Sequence, residues 1–190
     1  MNKFKKIQTE IQDIYIIEPT AFEDNRGFFM ESWNKRNFQE IGINIDFVQD
    51  NHSYTKDKGT IRGIHFQLNP KSQTKLVRCT RGEILDLAVD LRKNSPTYKQ
   101  YISVKLTQEN KRMLLIPKGF GHAFLTLTDN VEVQYKTDEY YSPKHDRNII
   151  YNDPELNIQW PFKEHNIIEP ILSSKDRNAP CLKDSDVNFE

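Results

Sequence analysis

Ile61-Arg62-Gly63-Ile64-His65-Phe66-Gln67 is the stretch on which the fold turns. Its apolar and aromatic content reads as a strand, interrupted by a cation and a titratable imidazole. A strand facing a core is expected to be rich in Val, Ile and Leu, so Arg62 and His65 carry desolvation costs that call for partners or a ligand. Alone, His65 reads as a core histidine bonded to a backbone carbonyl. Its neighbours along the chain argue for a site instead. Lys75 follows past the next turn, His122 lies in Pro117-Lys118-Gly119-Phe120-Gly121-His122-Ala123-Phe124, and Tyr135 falls on a further strand. Strict alternation puts Ile61, Gly63, His65 and Gln67 on one face and Arg62, Ile64 and Phe66 on the other. Arg62 and His65 can share a site only if Gly63 marks a bulge or the strand twists sharply.

Outward from this strand, short strand candidates recur between turn signals: Ile14–Ile17, Gly27–Trp33, Ile45–Val48, Lys75–Cys79, Glu83–Val89, Tyr101–Leu106, Met113–Ile116, Ala123–Thr126 and Val131–Thr137. In the last, Val131, Val133 and Tyr135 alternate with Glu132 and Gln134, so Tyr135 shares the core face. Helical signal is confined to Asn34–Ile41, with Gly42 placed to end the helix. Residues 142–170 read as loop with a helical turn packed outside. The pattern predicts an all-β fold, an antiparallel sandwich or barrel of jelly-roll type with few short helices. The 190 residues show no repeat or linker and read as one domain, 1–190.

Composition excludes several function classes. Lys+Arg and Asp+Glu balance at 27 each, leaving no basic field for nucleic acid or membrane, so any anion site is local. Cys79 and Cys181 are too few for a disulfide framework and suit a reducing cytoplasm. The early apolar run Ile14–Ile17 is too short for a signal sequence or a membrane span.

Several segments in order carry a family resemblance: Asp24-Asn25-Arg26-Gly27-Phe28-Phe29-Met30-Glu31-Ser32, Phe47-Val48-Gln49-Asp50-Asn51-His52-Ser53, Ile61 through Gln67, Lys75-Leu76-Val77-Arg78-Cys79, Ile116 through His122, Tyr135-Lys136 with Tyr140-Tyr141-Ser142-Pro143, Trp160-Pro161-Phe162 and Ser173-Ser174-Lys175-Asp176. Over about Ile14 to Cys181 the chain resembles the dTDP-4-dehydrorhamnose 3,5-epimerases, metal-independent members of the cupin superfamily. The resemblance implies a jelly-roll cupin fold and inversion of C3 and C5 of dTDP-4-dehydro-6-deoxy-D-glucose to give dTDP-4-dehydro-L-rhamnose. The chemistry is consistent with such residues. A C4 ketone acidifies the C3 and C5 protons, and inversion needs a base on one face, an acid on the other and a donor for the enolate oxygen.

Carried over residue by residue, the resemblance makes His65 the base, Asp176 its orienting carboxylate, Tyr135 the opposite-face acid and Lys75 the cation beside the C4 oxygen. It implies that Arg26, Arg62 and His122 contact the diphosphate or sugar, with Glu31, Asp146 and Lys175 as further ligand contacts. Gln49, Asp50 and Asn51 would lie around the nucleoside, and Tyr141 would stack on the thymine. Asp146 stands where the family often has Glu. Metal-binding cupins use clustered histidines, and Gly63-Ile64-His65-Phe66-Gln67 lacks the second close imidazole, so no metal and no other cofactor is expected. The family works as a homodimer with an exchanged N-terminal strand. Two other readings stay open: an epimerase that inverts only C3 or only C5 of a related 4-keto sugar nucleotide, and a non-catalytic sugar-nucleotide-binding cupin.

Overall fold

In Val131–Thr137 the side chains of Val131 and Val133 are wholly buried while Gln134 is exposed. This two-residue period gives a strand one face for an interior and one for its other side. The computed structural model describes residues 2–190. Its strands are β1 (Phe4–Gln8), β2 (Tyr15–Pro19), β3 (Phe22–Asp24), β4 (Gly27–Phe29), β5 (Gln49–Thr55), β6 (Ile61–Gln67), β7 (Lys75–Arg81), β8 (Glu83–Asp90), β9 (Tyr101–Thr107), β10 (Met113–Ile116), β11 (Phe120–Thr126), β12 (Val131–Thr137) and β13 (Asp146–Asn148). Two short helices are α1 (Lys35–Glu40) and α2 (Ser174–Arg177).

The strands form a six-stranded sheet, β1-β2-β10-β7-β12-β5, a five-stranded sheet, β13-β6-β11-β8-β9, and a separate β3-β4 hairpin. All of these pairings are antiparallel. The two large sheets pack face to face. Val77, Leu114, Ile116, Val131 and Val133 of one meet Ile84, Ala88, Leu106, Phe120 and Phe124 of the other. The outer faces are covered as well. Phe38 of α1 packs on Leu76, Met113 and Leu115, while Leu156, Leu182, Val187 and Phe189 from the C-terminal part pack on Ile64, Phe66, Leu87 and Val89. A sheet buried on both faces explains why β11 is buried at every position.

The expected strands Ile61–Gln67, Met113–Ile116 and Val131–Thr137 form with those bounds. Asn34 caps α1 by accepting from the backbone amides of Arg36 and Asn37, and Gly42 follows with φ +78°. Other expectations are corrected. Ile45–Val48 is not a strand; the strand is the next segment, β5, whose inward residues Gln49, Asn51 and Ser53 are polar and give no apolar period. Of Gly27–Trp33 only Gly27–Phe29 pairs, in the hairpin with β3. β1 carries no apolar period because it is an edge strand with only Phe4 buried, and it pairs with β2 of its own chain. Within residues 142–170, β13 adds itself to the edge of β6.

Gly63 does mark a bulge. His65 pairs with His122 and Arg62 with Phe124, so three steps on β6 match two on β11. The slip returns Arg62 to the same inner face as His65. Gly63 has φ +133°, and a Cβ there would strike Ala123 and sit 2.7 Å from the His122 carbonyl oxygen. Only glycine fits.

Candidate active site

At one end of the sandwich the inner faces exchange apolar side chains for titratable ones. On the six-stranded sheet, Lys75 continues the inward phase of Val77, and Tyr135 that of Val131 and Val133. On the five-stranded sheet, Asp86 lies between Ile84 and Ala88, His122 between Phe120 and Phe124, and His65 is the cross-strand partner of His122. The two sheets thus present two imidazoles, a lysine and a tyrosine to a shared interior.

His65 Nε2 donates to Asp176 Oδ1 at 2.5 Å. Ser173, the N-cap of α2, donates its hydroxyl to Asp176 Oδ2 at 2.8 Å and accepts from the Asp176 amide at 3.1 Å. Burial by itself would raise the Asp176 carboxyl, but the bonds from His65 and Ser173 outweigh it and hold the group below the usual carboxylate range. The acid is therefore an ionised, fixed acceptor, and a third of the His65 side chain remains exposed.

A second imidazole–carboxylate pair lies beside the first. His122 Nε2 donates to Asp86 Oδ1 at 2.7 Å in a fully buried setting. Burial pulls His122 below its ordinary value against the opposing pull of Asp86. Burial also lowers Lys75, to about 8, with Asp146 and Asp86 resisting the fall. Its ammonium lies 5.9 Å from the centre of the Tyr135 ring. Tyr135 is raised by burial, with Arg62 acting against the shift, so its phenol stays protonated at neutral pH.

The rim is polar. Asp146 pairs with Lys175 at 2.5 Å and accepts from the Tyr141 hydroxyl at 3.2 Å. The Tyr141 ring is 56% exposed, and its backbone amide donates to Gln49 Oε1. Gln49 in turn donates to Asn51 Oδ1 at 2.9 Å, whose own amide nitrogen is buried without a partner. Arg62 reaches Thr55 Oγ1 at 3.0 Å and the Tyr54 carbonyl at 3.1 Å.

Three of the residues carried over from the resemblance lie apart from this group. Arg26, at the hairpin tip, pairs with Asp24, and Glu31 pairs with Lys3 at 2.5 Å. Asp50 points to the opposite face of β5 from Gln49 and Asn51, where it pairs with Lys136 at 2.7 Å. Sequence reasoning also passed over residues that build the site. Asp86 went unassigned, although an acid in the inward phase of Ile84-Leu85-Asp86-Leu87-Ala88 is a legible signal. Gln67 is buried and holds the Tyr141 loop, accepting from the Ser142 amide at 2.7 Å and donating to the Tyr140 carbonyl. Among the described residues, no three His, Cys, Asp or Glu side chains are grouped so as to hold a metal ion.

Known proteins share this arrangement of chain. The family profile described as dTDP-4-dehydrorhamnose 3,5-epimerase matches residues 8–184. The dTDP-4-dehydrorhamnose 3,5-epimerase of Shigella flexneri is 49% identical over 181 residues, 95% of this chain and 97% of that protein. A crystal structure of the enzyme of that name from Bacillus anthracis, with TDP and PPi bound, is 50% identical with a TM-score of 0.89, covering 94% of this chain and 99% of that one. The dTDP-6-deoxy-D-glucose-3,5-epimerase of Legionella pneumophila, in complex with dTDP-4-keto-L-rhamnose, is 43% identical with a TM-score of 0.89, covering 96% and 95%. With a matched profile over most of its length and relatives near half identity, the chain belongs to the dTDP-4-dehydrorhamnose 3,5-epimerase family.

Proposed function

We propose that the protein is an isomerase that inverts C3 and C5 of dTDP-4-dehydro-6-deoxy-D-glucose to give dTDP-4-dehydro-L-rhamnose. The observation that carries this reading is that His65 and Tyr135 come from opposing sheets and face one interior, with Lys75 beside them. A sugar ring between the sheets would meet a base on one face and a phenol on the other.

In this reading His65 takes the proton from C3 or C5, and the C–H electron pair moves through the new C=C bond onto the C4 oxygen. The imidazolium is stabilised by the ionised Asp176. The Lys75 ammonium stabilises the enolate oxygen. Tyr135 donates a proton to the opposite face as the C4 carbonyl re-forms, and solvent returns the proton balance of His65 and Tyr135 before the second centre is inverted.

The nucleotide would lie at the rim, with Tyr141 against the base, Gln49 and Asn51 around the nucleoside, and Arg62, His122, Asp146 and Lys175 toward the diphosphate and sugar. Asp50 would contribute through its main chain, since its carboxylate is on the other face of β5. Homodimerisation with exchange of N-terminal strands belongs to the same reading. It would place Arg26 and Glu31, which lie outside the pocket of their own chain, within reach of a ligand in a second copy. The working compartment would be the cytoplasm.

Turnover of the 4-keto sugar nucleotide in heavy water, followed by NMR, tests the reaction. Deuterium at both C3 and C5 of an inverted product is the expected result. Label at one carbon would indicate a single epimerase, and no label a binding protein.

A further inference from the structure

Asp86 is wholly buried on the inner face of β8, in a stretch whose inward neighbours are Ile84 and Ala88. A buried carboxylate is costly unless it is bonded and balanced by charge. Only half of that requirement is met by His122, which bonds Oδ1; Asp86 Oδ2 is buried and has no hydrogen-bond partner. Across the interior, Lys75 is buried as well and forms no ion pair among the described residues.

The charged and titratable groups around Lys75 are Asp86 on β8, His122 on β11, His65 on β6, Tyr135 on β12, Asp146 on β13 and Lys175 on α2. Of the two carboxylates, Asp146 is engaged by Lys175 and Tyr141 at the rim. Asp86 is bonded by His122 through Oδ1 and keeps Oδ2 free.

We infer that Asp86 is a positioning residue whose carboxylate is the counter-charge that keeps Lys75 an ammonium, while its other oxygen anchors His122. This rests on the reading of Lys75 as the enolate-stabilising cation. Lys75, pulled down to about 8 by burial, stands close to losing its proton in the range where the enzyme works. The negative charges of Asp146 and Asp86 oppose that fall, and of the two Asp86 is the buried one with an oxygen free.

The test is Asp86→Asn, which has the shape of the acid and keeps an acceptor for His122. The alkaline limb of kcat/KM against pH is expected to move down by about one unit. In ligand-free protein, NMR titration of the Lys75 side chain, assigned with Lys75→Arg, should move by the same amount. Asp86→Glu, which restores the charge, should return both toward the parent values. An unmoved Lys75 titration in Asp86→Asn overturns the inference. A moved titration with an unmoved rate profile supports the electrostatic pairing and instead removes Lys75 from the proposed chemistry. If Asp86→Asn does not fold, Asp86→Ser, smaller and likewise uncharged, takes its place in the same Lys75 titration, and an unmoved Lys75 overturns the pairing.

Discussion

At the scale of the residue, the site is a set of groups whose protonation is set by burial and partner. Replacing His65 with Asn should leave the fold and lower kcat by about two to four orders of magnitude, since the proposed base is gone. Asp176→Asn should cost less, because the imidazole remains while its orientation and charge balance are impaired; steady-state kinetics on the two variants give the ranking. Tyr135→Phe tests the proposed division of the reaction between two faces. The enolate still forms, but the best remaining donor is the protonated His65, which restores the starting configuration. Exchange of substrate hydrogen for deuterium should therefore continue while inversion falls away, and an equal loss of both would place Tyr135 before the enolate.

Lys75 carries the clearest stability consequence. Below pH 8 it is protonated in both folded and unfolded chains, and the folded state bears the full cost of burying the charge. As pH rises from about 8 to 10.5 the folded ammonium loses its proton first and the cost fades. Lys75→Met should thus be more stable than the parent by about 3 kcal/mol at neutral pH. Urea unfolding should show that gain shrinking above pH 8, and a gain independent of pH would remove the depressed lysine as its source.

At the scale of the element, the bulge in β6 is what lets one strand serve the site with both Arg62 and His65. Without the extra residue at Gly63, alternation would turn Arg62 onto the outer face, among Ile61, Leu125 and Leu127. Gly63→Ala meets both an unfavourable φ and the backbone of β11. It should destabilise the protein by about 1 to 3 kcal/mol in denaturant unfolding. Its activity should fall more than its stability does, because the register of His65 against His122 moves with it. A variant of parental stability and rate would show that the bulge is not required. β5 makes the complementary case: its inward Gln49, Asn51 and Ser53 line the site end rather than a core, so no apolar period marked it as a strand.

At the scale of the whole molecule, the β3-β4 hairpin stands outside both sheets with Phe22, Phe28 and Phe29 exposed at 54%, 54% and 69%. Large apolar side chains so grouped mark a surface that pairs with another. If the protein is the homodimer proposed above, Phe28→Ser with Phe29→Ser should shift it toward monomer in sedimentation velocity, and an unshifted dimer would move the interface elsewhere. The sequence by itself determined the all-β class, most of the strands and the helix at Asn34, because these follow from local period and capping. It also carried the family resemblance, and with it His65, Lys75, Tyr135 and Asp176 as candidates. The tertiary structure supplied the contact by which Asp176, 111 residues from His65 in the chain, bonds the imidazole, and it alone showed that Asp86 bonds His122 through one oxygen and leaves the other free. It likewise decided which face of β5 meets the interior, and so that Gln49 and Asn51 rather than Asp50 line the site. Those outcomes depend on which faces meet across the sandwich and on a one-residue slip in β6, and neither is encoded in the period of any single strand.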